Sequence, residues 1–340
     1  MTTPFLELKN VSKVFGSGIF RKRRTVALDN MSMTINTDRP MVRAIAGESG
    51  SGKTTLGMML MGFLHPTSGN VLYNGKDMRS LNRDEQQSFR RDVQAVFQDP
   101  FSVYNPFYPV EHVLEMPIEK FKLAKSRQAA RRLMEDALSE VGLQPNETLG
   151  RYPHQLSGGQ RQRIMVARAL LLKPRLIIAD EPVSMVDASL RATILESLRK
   201  LNRQFGITIL YITHDLTTAY HVSNDIMVLY RGELAEVGDV ESVIKNPQHP
   251  YTQLLVDSIP WPDLDHTWGT KEIGLSSSIA KVGGSGLESC KFADRCPHVM
   301  TVCTQKDPPL YRVDRTRASA CFLHQDAPVI PREEIDQLLE

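Results

Sequence analysis

The stretch Gly47-Glu48-Ser49-Gly50-Ser51-Gly52-Lys53-Thr54-Thr55 constrains this chain more than any other. It fits the spacing G-x-x-x-x-G-K-[ST], in which glycines free backbone N–H groups to curl around an anion. Before it, Val42-Arg43-Ala44-Ile45-Ala46 reads as a buried strand. After it, Thr54 to Leu64 reads as a helix carrying Leu56, Met59, Leu60 and Phe63 on its apolar side. Strand, glycine loop, helix is the context this pattern requires, because the helix N-terminus adds about half a positive charge. In such a loop Lys53 reaches the β- and γ-phosphates of a nucleotide, and Thr54 holds Mg²⁺ through its hydroxyl. The plainer alternative is a glycine-rich turn that matches the spacing by chance.

The rest of the chain supplies the sheet that such a loop needs. Residues 5–35 alternate apolar and polar in short runs (Leu6, Leu8, Val11; Leu28, Met31, Met33, Ile35), the pattern of antiparallel strands. Phe15 follows the first of them and could stack on an adenine ring or sit in the core. The basic run Arg21-Lys22-Arg23-Arg24 reads as a solvated hairpin tip. Asn70 to Tyr73 is a short strand ending at Asn74-Gly75, a strong turn signal. Residues 81–172 read as a helical insertion, in which Ser126 caps a helix with Ala130, Leu133, Ala137 and Val141 on one face, stopped by Gly142.

Three apolar strands follow: Arg175 to Ala179, ending in Asp180-Glu181; Ile207 to Thr213, ending in His214; and Ile226 to Tyr230. Buried strands alternating with helices imply an α/β fold with a mainly parallel sheet, whose ligands sit beyond the strand C-termini. Asp180, Glu181 and His214 all fall at such ends, as the glycine loop does.

With 340 residues the chain is long enough for about two domains. A net charge of +2, from 41 basic and 39 acidic residues, argues against a dedicated nucleic-acid binder. Apolar runs fall short of the ~18 residues of a membrane span, and residues 1–5 lack the features of a secretory signal. The expectation is a cytosolic protein, or one held at a membrane by partners.

Leu156-Ser157-Gly158-Gly159-Gln160 opens a second helix, Arg161 to Leu172, with Ile164, Ala167, Leu170 and Leu171 on its buried face. Alone it is an N-capped helix start; beside the glycine loop it is a second anion cradle. With these elements in hand, residues 5–255 resemble the ATP-binding subunits of ABC transporters. The phosphate loop is Gly47 to Thr54, the glutamine loop Gln98 and the signature Leu156 to Gln160. The second acidic motif ends at Asp180-Glu181, the next loop is Ser184-Met185-Val186-Asp187, and the switch histidine is His214.

The resemblance implies a P-loop ATPase core with an N-terminal antiparallel β subdomain, a helical subdomain at about 81–172 and ATP and Mg²⁺ as ligands. Lys53 and the loop from Gly47 through Ser49, Gly50, Ser51, Gly52, Thr54 and Thr55 would hold the phosphates. Thr54, Gln98 and Asp180 would complete the Mg²⁺ shell, Glu181 would orient the attacking water, and His214 would sense the γ-phosphate. Phe15 stands where the family places its adenine-stacking aromatic. The family also implies a head-to-tail dimer, with the signature Ser157, Gly158, Gly159 and Gln160 of one subunit closing on the phosphate loop of the other and Asp187 crossing the seam. Met185 and Val186 depart from the family's usual Ser-Ala-Leu-Asp there.

Gln98-Asp99-Pro100-Phe101-Ser102-Val103-Tyr104-Asn105-Pro106 and His249-Pro250-Tyr251-Thr252 are similar to the dipeptide and oligopeptide importer branch. That branch implies a peripheral subunit on the cytoplasmic face of the membrane. Its partners would be a second ATPase subunit, two transmembrane permease subunits reached through residues near 99–109, and indirectly an extracytoplasmic solute-binding protein. Oligosaccharides are the alternative solute, and a soluble, non-transport ABC ATPase the alternative of another class.

All four cysteines lie in the tail, as Cys290, Cys296, Cys303 and Cys321. Four thiolates can hold zinc or an iron–sulfur cluster, and the spacing matches neither a zinc ribbon nor a ferredoxin run. The wording Lys291-Phe292 and Arg295-Cys296-Pro297 resembles the tail of peptide-importer ATPases, which implies a [4Fe–4S] cluster, with zinc or free structural thiols as the alternatives. Residues 256–340 are thus expected to be an extension, joined through a glycine- and serine-rich linker at 269–289.

Overall fold

The computed structural model describes residues 3–16, 24–97, 104–184, 186, 188–259 and 289–339, the side chains of 188–190 excepted. Gln98, Asp187 and all but the last residue of the 269–289 stretch lie outside the described residues. The chain forms two compact units. One comprises Met1–Ile35, Arg43–Met78 and Thr213–Glu340; the other comprises Asn36–Val42 and Arg79–Ile212.

The first unit begins with β1 (Leu6–Phe15) and β2 (Thr25–Ile35), then β3 (Val42–Ala46), α1 (Lys53–Leu60), β4 (Ser68–Tyr73) and β5 (Lys76–Asp77). β1 pairs antiparallel with β2 on one side and β4 on the other, with Leu6 opposite both Ile35 and Tyr73. Leu6, Leu8, Val11, Leu28, Met31 and Met33 are buried, as the alternation requires. Asn74 and Gly75 join β4 to β5 with φ of 48° and 78°, the backbone of the tight turn that Asn-Gly announces.

Helix α1 is shorter than its apolar pattern suggests. Gly62 turns left-handed at φ 73°, and the N–H groups of Gly62 and Phe63 bond back to the carbonyls of Met59 and Met58. This Schellman stop swings Phe63 into solvent, 63% exposed, rather than onto the apolar side.

The second unit contains α2 (Arg83–Asp92), β6 (Val93–Val96), α3 (His112–Lys120), α4 (Arg127–Glu140), α5 (Pro145–Thr148) and α6 (Gly158–Leu170). It ends with β7 (Leu176–Asp180), α7 (Ala188–Phe205) and β8 (Thr208–Thr213). β6, β7 and β8 are parallel, with Val93 opposite Leu176 and Leu176 opposite Thr208. The expected helical insertion at 81–172 therefore holds a strand. α4 is capped by Ser126, whose hydroxyl accepts from Ala129 N–H, but it buries Met134, Ala137 and Leu138 rather than Ala130 and Leu133.

The chain returns to the first unit with α8 (Leu216–Val222), β9 (Asp225–Tyr230), β10 (Glu233–Asp239), α9 (Val240–Lys245) and α10 (Pro250–Asp257). In the tail come β11 (Tyr311–Arg312) and β12 (Arg317–Ser319). β3 and β9 are parallel, with Arg43 opposite Asp225. β10 turns back against β9, β12 pairs with β10 and β11 with β12. The cysteine-bearing tail thus extends the sheet of the first unit.

The tail also shares that unit's core, since Phe292 is buried in one cluster with Ala44, Tyr230 and Tyr251. A buried ion group fastens its far end: Arg43 Nε donates to Asp225 Oδ1 at 2.7 Å, and the same guanidinium meets the Asp336 carboxylate. Asp336 Oδ2 accepts in turn from Thr34 N–H at 2.6 Å. Among the described residues no helix is long and apolar enough to cross a membrane.

Candidate nucleotide site

The phosphate loop runs from the C-terminal end of β3 into α1. Gly47 has φ 148°, and a Cβ there would fall 2.3 Å from the Leu229 carbonyl oxygen. Gly52 has φ 102°, and its Cβ would meet the Ala27 carbonyl oxygen at 2.4 Å. Both positions require glycine because neighbouring backbone walls the loop. Gly52 is also the N-cap of α1 and brings no capping side chain to the first-turn N–H groups. Those donors are available to a bound anion.

Lys53 is buried and folds over the loop, its Nζ donating to Gly47 O at 2.7 Å and Glu48 O at 2.9 Å. Ser51 is buried, while Ser49, Gly50 and Thr54 are exposed, so the Thr54 hydroxyl opens to solvent at the start of the helix. The β9–β10 turn backs the loop: Gly232 N–H donates to Ser51 O at 2.9 Å, and Asp29 N–H to Gly232 O at 2.9 Å. Sequence reasoning assigned that turn no role.

Two more expected residues belong to the first unit. Phe15 ends β1 and is 42% exposed, with Lys13 Nζ 5.3 Å from its ring centroid. Of its two alternatives, the core position is the one the fold does not realise. His214 is exposed between Thr213, whose Oγ1 accepts from Asp215 N–H at 3.0 Å, and Asp215, which caps α8. Those flanking bonds fix the backbone that presents the imidazole.

In the second unit, Asp180 is the last residue of β7 and pairs with Ile212. Glu181 follows with φ 46°, left-handed backbone in a non-glycine residue. It is held there by its N–H donating to Ile212 O at 2.8 Å, and by Ser184, whose hydroxyl donates to Glu181 O at 3.0 Å. Such strain costs about 1–3 kcal/mol and persists where neighbours over-determine it. The parallel β6 ends at the same edge, two residues before Gln98, which lies outside the described residues.

The signature forms the start of α6. Ser157 Oγ accepts from Gln160 N–H at 3.2 Å, and Gln160 Oε1 accepts from Ser157 N–H at 2.9 Å, a reciprocal capping box. Gly159 is buried and Ser157 exposed. The helix is braced by Tyr104, whose hydroxyl donates to Arg161 O at 2.8 Å, and by buried Gln162, which donates to Phe97 O at 3.3 Å. A buried glutamine inside an apolar helix face gave no sequence signal.

Among the described residues the four cysteines form no disulfide, and Cys303 and Cys321 are buried. Burial, then the neighbouring thiols, pushes Cys290 up to about 12. Cys321 is likewise pushed up to about 11, by burial and then by Cys296 and Cys303. Cys303 packs with Tyr311 and Phe322, and Cys290 lies against that cluster. Among the described residues no group of three or more His, Cys, Asp or Glu side chains is set to hold a metal ion.

Residues 28–184 match the family model described as ABC transporter, and residues 235–303 match that described as Oligopeptide/dipeptide transporter, C-terminal region. The chain is 37% identical over 324 residues to the putative oligopeptide transport ATP-binding protein YkfD of Bacillus subtilis, covering 95% of this chain and 97% of that relative. The chain belongs to the ABC transporter family.

This ABC ATPase is also 39% identical over 270 residues to the oligopeptide transport ATP-binding protein OppF of Salmonella typhimurium, 78% of this chain and 79% of that one. Among solved structures it is similar to the ATP-binding cassette MJ0796, a dimer in a post-hydrolysis state bound to ADP and Pi. That match has TM-score 0.61 and 32% identity, over 69% of this chain and 98% of that one. Family and fold together make the chain an ATP-hydrolysing enzyme with the α/β P-loop architecture.

Proposed function

We propose that this ABC ATPase drives the import of oligopeptides or dipeptides. The observation that carries the proposal is the match of residues 235–303 to the oligopeptide/dipeptide transporter C-terminal region, since relatives named for peptide or oligopeptide transport span nearly the whole chain. The oligosaccharide alternative has no such support. Residues 1–255 carry the nucleotide chemistry and 256–340 form the extension.

In this reading the ATP phosphates lie on the first-turn N–H groups of α1, with Ser49, Gly50, Ser51, Gly52 and Thr55 lining the loop and Lys53 turning from the loop carbonyls to the β- and γ-oxygens. Mg²⁺, held by Thr54, Gln98 and Asp180, supplies charge neutralisation at the transferring phosphoryl group. Glu181 orients the attacking water, His214 contacts the γ-phosphate, and Phe15 stacks on the adenine. Ser157, Gly158, Gly159 and Gln160 close on the loop of a second ATPase subunit, arranged head to tail with Asp187 at the seam; the dimeric state of MJ0796 supports this pairing. The pair binds two transmembrane permease subunits at the cytoplasmic face of the membrane, fed by an extracytoplasmic solute-binding protein. Purified membrane complex in vesicles is expected to hydrolyse ATP faster with peptide and its binding protein than with oligosaccharide. Equal stimulation by both, or by neither, removes the peptide assignment.

A [4Fe–4S] cluster on Cys290, Cys296, Cys303 and Cys321, with zinc as the alternative, is supported by donor chemistry alone: four sulfurs from one module suit a soft metal. Iron, sulfide and zinc content of anaerobically purified protein decides it.

A further inference from the structure

Glu48 is the one acidic residue in the 47–55 loop, and the cysteine-bearing tail reaches it from 247 positions away. Arg295 Nη1 donates to both Glu48 carboxylate oxygens, at 2.9 and 3.0 Å, and to Tyr230 Oη at 3.3 Å. The guanidinium lies 5.7 Å from the ring centroids of both Tyr230 and Phe292. The backbone of Glu48 is held by the same aromatic group. Its N–H donates to Tyr251 Oη at 2.7 Å, and the Tyr251 ring sits 4.5 Å from Tyr230 and 5.5 Å from Phe292. Side chain and main chain of one loop residue are thus fixed through a cluster to which the tail contributes Phe292 and Arg295.

The charges give this contact a direction. A carboxylate beside a site for nucleotide phosphates opposes binding by Coulomb repulsion, and a paired guanidinium cancels most of that field. We propose that Arg295 is a positioning residue for the phosphate loop: it neutralises Glu48 and holds it against the tail, so ATP affinity depends on a tail side chain. The inference rests on the reading of residues 47–55 as the phosphate site.

The test uses the full chain, Mg²⁺ and a fluorescent ATP analogue titrated at low and high salt, with thermal melts as a folding control. Arg295→Gln is expected to weaken binding about two- to five-fold at low salt, the scale of one partly exposed ion pair. At about 0.5 M salt, where screening is short-ranged, the deficit should shrink below about two-fold. kcat at saturating ATP should stay within about two-fold, while KM for ATP rises. Arg295→Lys should recover part of the loss. Glu48→Gln added to Arg295→Gln should recover most of it, because no carboxylate is then left uncompensated. Glu48→Gln alone should bind the analogue at least as tightly as the native chain, a result that does not depend on how the Arg295 variants fold.

Native affinity in Arg295→Gln at low salt, a double variant as weak as that single one, or weaker binding by Glu48→Gln alone would each overturn the proposal. Lys53→Ala separates the two levels. If it binds nucleotide normally, the phosphate-loop reading itself fails; if it loses binding while Arg295→Gln does not, only the role of Arg295 falls.

Discussion

The phosphate loop and the signature are both glycine-rich helix starts, and they are built on opposite principles. At α1 the cap is a glycine with no side chain to take the first-turn donors, and backbone carbonyls stand where any Cβ at Gly47 or Gly52 would go. At α6 the cap is Ser157, and its reciprocal bonds with Gln160 use two of the end's donors. An ideal Cβ at Gly158 would have nothing within 4 Å among the described residues. The first is a rigid backbone cradle that can receive a multiply charged anion once Lys53 turns from the Gly47 and Glu48 carbonyls. The second is satisfied by its own chain and offers an exposed serine hydroxyl, whose proton can still be donated outward. Similar composition therefore marks an open cradle in one case and, in the proposed dimer, a lid in the other.

If cradle and lid meet across a pair of subunits, Glu181→Gln gives the largest effect. Hydrolysis should drop at least a hundred-fold, the loss of about 3 kcal/mol or more of transition-state stabilisation. ATP-bound dimer should accumulate on size exclusion, and adding Ser157→Ala should lower that dimer fraction. Normal turnover in Glu181→Gln removes that residue from the chemistry. Gly47→Ala attacks the cradle's wall. Overlap with the Leu229 carbonyl should cost more than about 3 kcal/mol in denaturant unfolding and abolish nucleotide binding. Unchanged stability would mean the wall yields.

A pH experiment probes the cradle's anchor. His249 Nδ1 accepts from Tyr251 N–H at 3.0 Å, and burial, then the neighbouring His324, pushes its pKa down to about 4. The unfolded chain takes up that proton first, near pH 6.5, so stability is full above pH 6.5 and falls as pH drops towards 4. The fall should be at most about 3 kcal/mol, from a shift of roughly two and a half pH units. His249→Asn, which keeps an acceptor at the cap, should flatten the slope in pH-dependent melts; equal melting of the native chain at pH 7.5 and 5 would contradict it. The smallest effect tests the lid: Ser157→Ala should cost about 1 kcal/mol of stability, and Gly158→Ala less than about 0.5.

Much of this was legible in the chain itself. The phosphate loop announces itself because its glycines answer to backbone geometry, and the strands Leu176–Asp180, buried up to its last residue, and Thr208–Thr213, buried throughout, announce themselves by the apolar runs at their centres. The strand Val93–Val96 was hidden: four residues long, it directly follows a charged helix, and only two of its residues are fully buried. The tail strands were hidden for another reason. Arg317-Ala318-Ser319 carries almost no hydrophobic signal and becomes a strand because β10 offers it an unpaired edge. Arg295 on Glu48 lay beyond any local pattern, since a contact spanning 247 positions is decided by topology rather than by neighbouring residues.

The ion group at Arg43 gives the far end of the chain an unexpected weight. Arg43 sits in the strand that leads into the phosphate loop, and one of its two carboxylate partners is Asp336. Trimming the last few residues would maroon half of a guanidinium's compensation inside the protein, and losing one partner of a buried pair costs about 3–5 kcal/mol. A disturbance at the carboxy-terminus is therefore felt three residues before Ala46, at the threshold of the nucleotide's seat.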